Sequence, residues 1–483
     1  MSKTVTKTET DEPLRDRIRA DPRPAMLWGA VMGLLILVQT GALIQFVFDM
    51  LGVIIGFIPG QPGLATIQAL FEAAGQIPTL LSRDLISNMG YYNGSEWVGT
   101  FLGLQPAVAW GLRVLLVSAY GLGFLYWVWR GYLIFRDNYR YADWTPRDNQ
   151  IDRFSRHSWG KFGLTMVILF VMMAVFAPTL SPTTVDQNIN DPYSHTIEYW
   201  NEDAGEVQEI IVGEANIATG SDGNPQSNVG PMTYDAFDRF HPFGTLPSGK
   251  DLFTFMMFGS RISLFISLSS IIIAGLIATT LALATAYFKG LADLITVVVS
   301  DSTQALPVLM LAILIAVMFS GHPVAELYNG AVLLVLLFSI VYWPYLWRAV
   351  RGPSFQVVEE DWIDAAKSYG QKPRKIMKKH MLPYIIGYLL IYGSMSIGGI
   401  IVSVAGLSYL GIGITPPTPE WGRAIDAGQP YVASASWHIA LIPGLMITFV
   451  VTGLNALGDG IRDAIDPQSE GGEAEEAAVG GGA

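Results

Sequence analysis

The chain has 483 residues, 51% of them hydrophobic and only 14% charged, with a mean hydropathy of +0.38; a soluble domain carries roughly 25% charge, so an ordinary soluble enzyme is excluded. The net charge of −12 argues against nucleic acid, because binding phosphate needs a basic surface that displaces counterions. With no cysteine there is no disulfide framework, thiolate metal site or cysteine nucleophile, and no catalytic or metal-ligating constellation stands out elsewhere.

A bilayer core about 30 Å thick takes about 20 apolar residues as helix, and eight stretches meet that length in chain order: 25–48, 109–129, 162–177, 262–288, 294–321, 327–347, 384–407 and 437–458. The first begins only at Ala25 and is long enough to span, so it reads as a retained helix and not a cleaved leader. Lys and Arg number six before residue 25, one in 49–105, seven in 130–161, three in 180–261 and eight in 348–379. The excess of basic residues on cytoplasmic loops then places both termini, 130–161 and 348–379 in the cytoplasm. The fold expected is all-α and polytopic, with about eight transmembrane helices in the plasma membrane and the lipid bilayer as its solvent.

The expected organisation is a cytoplasmic tail at 1–24, a two-helix membrane segment at 25–135, a cytoplasmic linker with one helix at 136–185, an extracytoplasmic acidic lobe at 186–257, a membrane core at 258–463 and a tail at 464–483. That last tail is rich in Glu, Ala and Gly, too poor in apolar residues to bury a core, and reads as disordered. The outer loop of the two-helix segment suggests a surface helix over 65–81 and shows no chemistry. Arg113, in the first turn of its helix, is expected to snorkel outward. Pro307, Pro344 and Pro443 are expected to kink their spans.

The loop at 354–385 has an internal design that a simple connector does not need. Val357, Val358, Trp362, Ala365, Ala366 and Tyr369 recur at helical spacing, Gly370 supplies a stop, and Pro373 can open a second short helix. One reading is a helix whose small and aromatic side chains dock into a soluble partner; periodicity by itself favours a plainer one, an amphipathic helix resting at the membrane interface.

Here the sequence resembles a family. The run DAAKSYG with Leu382-Pro383 downstream is similar to the EAA loop of ABC importer permeases: Asp364, Ala365, Ala366 and Gly370 stand in place, nine residues separate Gly370 from His380, and one separates His380 from Leu382 and Pro383. Asp364 replaces the family's glutamate and His380 its isoleucine. The stretch His241-Pro242-Phe243-Gly244-Thr245-Leu246-Pro247-Ser248-Gly249-Lys250-Asp251 resembles an outer-face motif of the peptide/nickel branch, with Leu246 for an aspartate and Lys250 for an arginine. The segments 407–422 and 457–467 resemble the last outer loop and the end of the same branch. The resemblance covers about 159–467 and implies a type I permease core of six helices, with the first two helices extra.

The resemblance further implies an importer for peptides or similar solutes, with a second permease subunit (a heterodimer), two cytoplasmic ATPase subunits serving the complex through the 354–383 loop, and an extracytoplasmic solute-binding protein. Of the two ATPase subunits one would grip this chain's loop, near Asp364 to Gly370; ATP and Mg²⁺ would sit on those partner subunits, and this chain would hold no cofactor and catalyse no reaction. GTLPSGK at 244–250 imitates a phosphate-binding loop, yet Asp251 stands where that loop needs a hydroxyl and would repel phosphate. His438 reads as an interfacial side chain at the outer end of the last span. Asp301 is the one carboxylate well inside a span; as an intramembrane acid it is a candidate polar site for an alternative reading, an ion-coupled carrier or channel working alone, while the plainer assignment is a polar contact between helices.

Overall fold

The structure, a computed structural model, describes residues 13–44, 47–48, 51, 63–75, 77, 79–142, 144–220 and 228–465; the tail expected to be disordered lies, from residue 466 on, outside them. The chain forms two compact units, Met1–Asn88 with Gly99–Asp148, and Met89–Val98 with Asn149–Ala483.

In the first unit α1 (Leu14–Ala20), α2 (Arg23–Leu37), α3 (Leu64–Gly75) and α4 (Pro106–Asn138) follow one another. Pro106 opens α4 where a missing amide hydrogen does no harm. The indoles of Trp28 and Trp127 donate to each other's backbone carbonyls at 3.0 Å, and the Tyr139 hydroxyl donates to Asp21 O at 2.7 Å. These bonds lock α2 against α4, with Gly131 leaving room for the Trp28 ring. Arg113 does not snorkel outward. It is buried and donates to Ile86 O at 3.0 Å, so the loop before α4 supplies the oxygen that the bilayer cannot.

In the second unit a hairpin of β1 (Tyr91–Tyr92) and β2 (Trp97–Val98) precedes α5 (Pro146–Arg156, which begins in the first unit) and α6 (Ser158–Val175). The lobe that follows holds the antiparallel pair β3 (Thr196–Asn201) and β4 (Glu206–Ile211), α7 (Val212–Thr219), and a second pair, β5 (Thr233–Tyr234) with β6 (Phe240–His241). Then come α8 (Leu252–Phe288), α9 (Gly290–Gln304), α10 (Val308–Met318), α11 (Ala331–Val358), α12 (Asp361–Ser368), α13 (Pro373–Tyr409), α14 (Trp421–Gly428) and α15 (His438–Ile465).

Among the described residues six helices are long and apolar enough to cross a membrane: α4, α6, α8, a helix ending in α11, α13 and α15. The pair α9–α10 adds a seventh if it is counted as one span, while the apolar α2, at 15 residues, is shorter than a span and the first expected span, 25–48, runs onto residues outside those described. That pair corrects the continuous span expected over 294–321, for α9 and α10 meet at 88°. Pro307 precedes α10 as its cap; without an amide hydrogen and with a ring against the preceding turn, it cannot continue a straight helix. Pro344 and Pro443 stay inside uninterrupted helices.

Two apolar clusters hold the core. One gathers Ala274, Ala278, Ala282 and Ala286 of α8 with Trp347 and Val350 of α11, Ile363 and Ala366 of α12, and Ile376 and Met381 of α13. The alanine stripe recurs every four residues and so lies on one helix face. The other gathers Ile266 of α8, Ala312 of α10, Leu334 and Phe338 of α11, and Ile400 and Val404 of α13. The first cluster therefore ties the 354–383 loop to the long helices.

Candidate functional site

The docking helix expected in the 354–383 loop is α12, eight residues long. Gly370 ends it in the left-handed region (φ 70°), where its amide donates to Lys367 O at 2.9 Å and that of Gln371 to Ala366 O at 3.1 Å, satisfying carbonyls that the helix end leaves open. The single stripe read from periodicity is corrected. Ile363 and Ala366 face the core and are buried, whereas Trp362 is 47% and Tyr369 87% exposed, with Ala365 exposed between them. Spacing cannot distinguish these faces, because the chain breaks between Val358 and Asp361 and the helical phase restarts there.

Asp364 is exposed and pairs with Lys367 at 2.9 Å. The second short helix does not stand apart. Pro373 begins a rod that runs into the next span, through one π-helical turn at Met377–Met381. That wider turn puts residues five apart on one face, so Ile376 and Met381 are both buried and provide the apolar packing that His380 does not. His380 instead lies half-buried with Nε2 3.3 Å from Gln371 Oε1. Leu382 is half-buried and Pro383 exposed.

At the other end of the core, the motif from His241 to Asp251 forms a closed knot. His241 Nδ1 lies 2.8 Å from Asp251 Oδ2 and Nε2 3.3 Å from Asp235 Oδ2, and Arg239 Nε donates to Asp235 at 2.6 Å. Burial pulls the His241 pKa down, but the two carboxylates outweigh it and hold the ring above its ordinary value. Burial pushes Asp235 up, yet the His241 hydrogen bond and the Arg239 charge bring it down to about 2. Two carboxylates, an imidazolium and a guanidinium thus cancel in charge, which makes their burial tolerable.

Asp251 also caps α8, accepting from Thr254 N at 2.6 Å and Thr254 Oγ1 at 2.7 Å. Its amide donates to Asn188 Oδ1 at 2.8 Å. The amides of Thr245, Leu246 and Gly249 are taken by Val229 O, Lys250 O and Leu246 O, so the P-loop-like run has no cradle of open N–H groups for phosphate. A side chain at Gly249 would meet the Asn216 carbonyl at 1.7 Å. Leu246, where the motif has an acid, is buried; Lys250 donates to Ile189 O at 3.2 Å. Pro242 and Gly244 are buried in the knot, and His438 is buried too, not interfacial, with Nε2 3.3 Å from Thr245 O.

Sequence reasoning missed three features. Glu420 is buried as the cap of α14, accepting from Gly422 N at 2.7 Å, and burial, only partly offset by hydrogen bonds from Ser408, Gly422 and Arg423, pushes its pKa up to about 7. Trp421 beside it donates to Met256 O at 2.8 Å. The hairpin β1–β2 reaches the lobe that holds β3 to β6, where Tyr92 N donates to Asp238 Oδ2 at 2.9 Å and Trp97 lies 5.9 Å from Tyr234, centroid to centroid. Finally, α6 and α15 touch backbone to backbone at Gly163 and Gly453; the spacing Gly453, Ala456, Gly460 was the available signal. Asp301 is half-exposed and pairs with Arg348, a contact between α9 and α11.

Residues 256–470 match the family model described as binding-protein-dependent transport system inner membrane component, and residues 145–196 match the N-terminal transmembrane domain of oligopeptide transport permease C. A glutathione transport system permease protein of Pectobacterium atrosepticum is 36% identical over 250 residues, 49% of this chain and 80% of that protein. A dipeptide transport system permease protein of Alkalihalophilus pseudofirmus is 28% identical over 330 residues, 68% of this chain and 92% of that protein. These matches leave the lone carrier or channel without support. The chain belongs to the binding-protein-dependent transport inner membrane components, the permease subunits of ATP-driven importers.

Proposed function

We propose that this permease subunit admits peptides or peptide-like solutes, pairs with a second permease subunit around a shared pathway, and takes its driving force from two ATPase subunits, one of which docks on α12. A solute-binding protein delivers the solute at the outer face, and both termini lie in the cytoplasm. The named substrates of the relatives, glutathione and a dipeptide, support the solute class; both are short, amide-linked and charged at their ends.

The observation that carries the docking is the two-sided character of α12. Ile363 and Ala366 anchor it in a cluster shared by α8, α11 and α13, while Trp362, Ala365 and Tyr369 leave an aromatic and small-residue face exposed. Buried aromatic anchors dominate binding energy at protein interfaces, and the small Ala365 lets a partner approach closely. Because the inner face is continuous with the long helices, a push on α12 is transmitted to them.

The test is to purify the complex with Trp362→Ala, Tyr369→Ala and Ala365→Arg and measure ATPase association. Each is expected to weaken it roughly 30-fold, the scale of an interface hot spot. Undiminished association in all three, in chains that stay folded, would refute the docking.

A further inference from the structure

Three ion pairs lace α9 to the arm of α11 that leads into the docking loop. Lys289 pairs with Glu359, Asp293 with Arg351, and Asp301 with Arg348, so the rungs follow one another in antiparallel order. The middle rung is two-pronged, Arg351 Nε donating to Asp293 Oδ1 at 2.8 Å and Nη2 to Oδ2 at 2.5 Å. Its guanidinium also lies 4.9 Å from the Phe355 ring centroid and 5.5 Å from that of Trp347. Arg348 adds a bond to Gln304 Oε1 at 2.9 Å, beside the end of α9.

The inward face of α9 points the same way. Thr296 and Ser300 are buried, and Val297 packs on the cluster that contains Ile363 and Ala366 of α12. Beyond the 88° break, Ala312 of α10 belongs to the other cluster, with Leu334, Phe338 and Ile400. The break at 305–307 therefore separates a helix fastened to the docking loop from one fastened to the opposite end of the core.

We propose that α9 and α12 move as one lever, held together by the Lys289–Glu359, Asp293–Arg351 and Asp301–Arg348 pairs, and that residues 305–307 are the hinge passing this movement to α10. The inference rests on the docking of an ATPase at α12. An isolated exposed ion pair holds weakly; three in succession on a helix already packed against the arm resist its sliding and peeling. Packed bodies move as units about a few residues that absorb the backbone change, and Pro307 has already broken the hydrogen-bond ladder there. Asp301 is on this account a positioning residue.

The absence of cysteine makes single-site labelling clean. In the whole complex, in lipid, a spin label at Lys375→Cys reports on the exposed surface beside α12, and one at Met310→Cys reports on α10. MgATP with vanadate is expected to change both spectra when the three pairs are intact. In the triple variant Asp293→Asn, Asp301→Asn, Glu359→Gln, the Lys375→Cys change persists and the Met310→Cys change falls at least fivefold. Reversing two of the pairs, with Asp293→Arg, Arg351→Asp, Asp301→Arg and Arg348→Asp together and Lys289–Glu359 left as it is, restores it. An undiminished Met310→Cys response in the triple variant, or a reversed variant that assembles without regaining it, overturns the proposal. If the triple variant does not assemble, the reversed variant alone decides. A silent Lys375→Cys label with the pairs intact refutes the docking reading itself.

Discussion

His157 Nε2 lies 2.9 Å from Asp463 Oδ2, joining the start of α6 to the end of α15. The other ring nitrogen, Nδ1, accepts from Gly160 N at 2.8 Å, so the proton sits on Nε2 and is donated to Asp463. One side chain thus caps α6 and ties it to the end of α15.

His157→Ala is expected to remove both bonds and lower stability by about 1–2 kcal/mol, the scale of a lost cap. Asp463→Asn keeps the cap and loses only a partly exposed pair, worth about 0.2–1 kcal/mol. Thermal unfolding in detergent should rank them in that order, and equal losses would show that the cap contributes nothing.

The contact of α6 with α15 makes a sharper prediction. A Cβ at Gly163 would lie 2.3 Å from Leu457 N and 2.6 Å from Gly453 O, backbone atoms that no rotamer change can move. Gly163→Ala should therefore cost on the order of 3 kcal/mol, the upper range for overpacking. At Gly275 the nearest atom would be a Leu389 methyl at 3.5 Å, so Gly275→Ala should be tolerated. The yield of monodisperse protein compares the two.

The end of the core that carries Glu420 and the His241 knot should loosen as pH rises. Glu420 is held at about 7, above its ordinary 4.5, by burial. A raised folded pKa favours the folded state fully below the unfolded value, an advantage lost as pH climbs from about 4.5 through 7. His241, also raised, acts in the same direction from 6.5 upward. Asp235 acts oppositely and only in acid, between 3.8 and about 2. Protease resistance of the segments around Glu420 and His241 is expected to decline from about pH 4.5 upward, the Glu420 part ending near 7 and the His241 part starting near 6.5, and Glu420→Gln should flatten the Glu420 part of that decline. An identical pH profile in Glu420→Gln would rule out this assignment.

The hairpin β1–β2 is held to the lobe of β3 to β6 through Asp238. Asp238→Ala should leave the Tyr92 amide without its acceptor and expose Tyr91, Tyr92 and Trp97 to chymotrypsin several-fold faster, while Asp301→Asn, at the other end of the core, leaves that rate unchanged. Peptide mapping after brief digestion reads the difference.

Alanine placement on α12 separates folding from docking. Ala366 is buried against the core and Ala365 is exposed. Ala366→Arg should destabilise the chain by several kcal/mol through an unpaired buried charge, whereas Ala365→Arg should leave unfolding within about 0.5 kcal/mol of wild type, as at other exposed positions. Matching thermal shifts for the two would contradict the orientation of α12.

Much of this was legible in the sequence because it rests on local rules. Hydrophobic length located the membrane helices, and the spacing from Asp364 through Gly370 to Pro383 picked out the loop that carries α12. What spacing could not supply was phase across a break. Trp362 and Tyr369 were grouped with Val357 and Val358, but the chain turns between them and places the first two outside. Likewise the π-helical turn after Ile376 shifts the register by one residue, so the position that looked like a missing isoleucine is filled by its neighbours.

The amino-acid order by itself determined that the chain lives in a bilayer, where its helices lie, and which loop carries the small-residue motif, since transfer from water and backbone hydrogen bonding act over one segment at a time. Only tertiary structure decided that Asp301 meets Arg348, that His241 sits between Asp235 and Asp251, that Glu420 is buried, and that one span breaks at Pro307. The ion-pair partners among these lie between 6 and 47 residues away, and a side chain's charge state and exposure are set by whichever neighbours the packing brings to it.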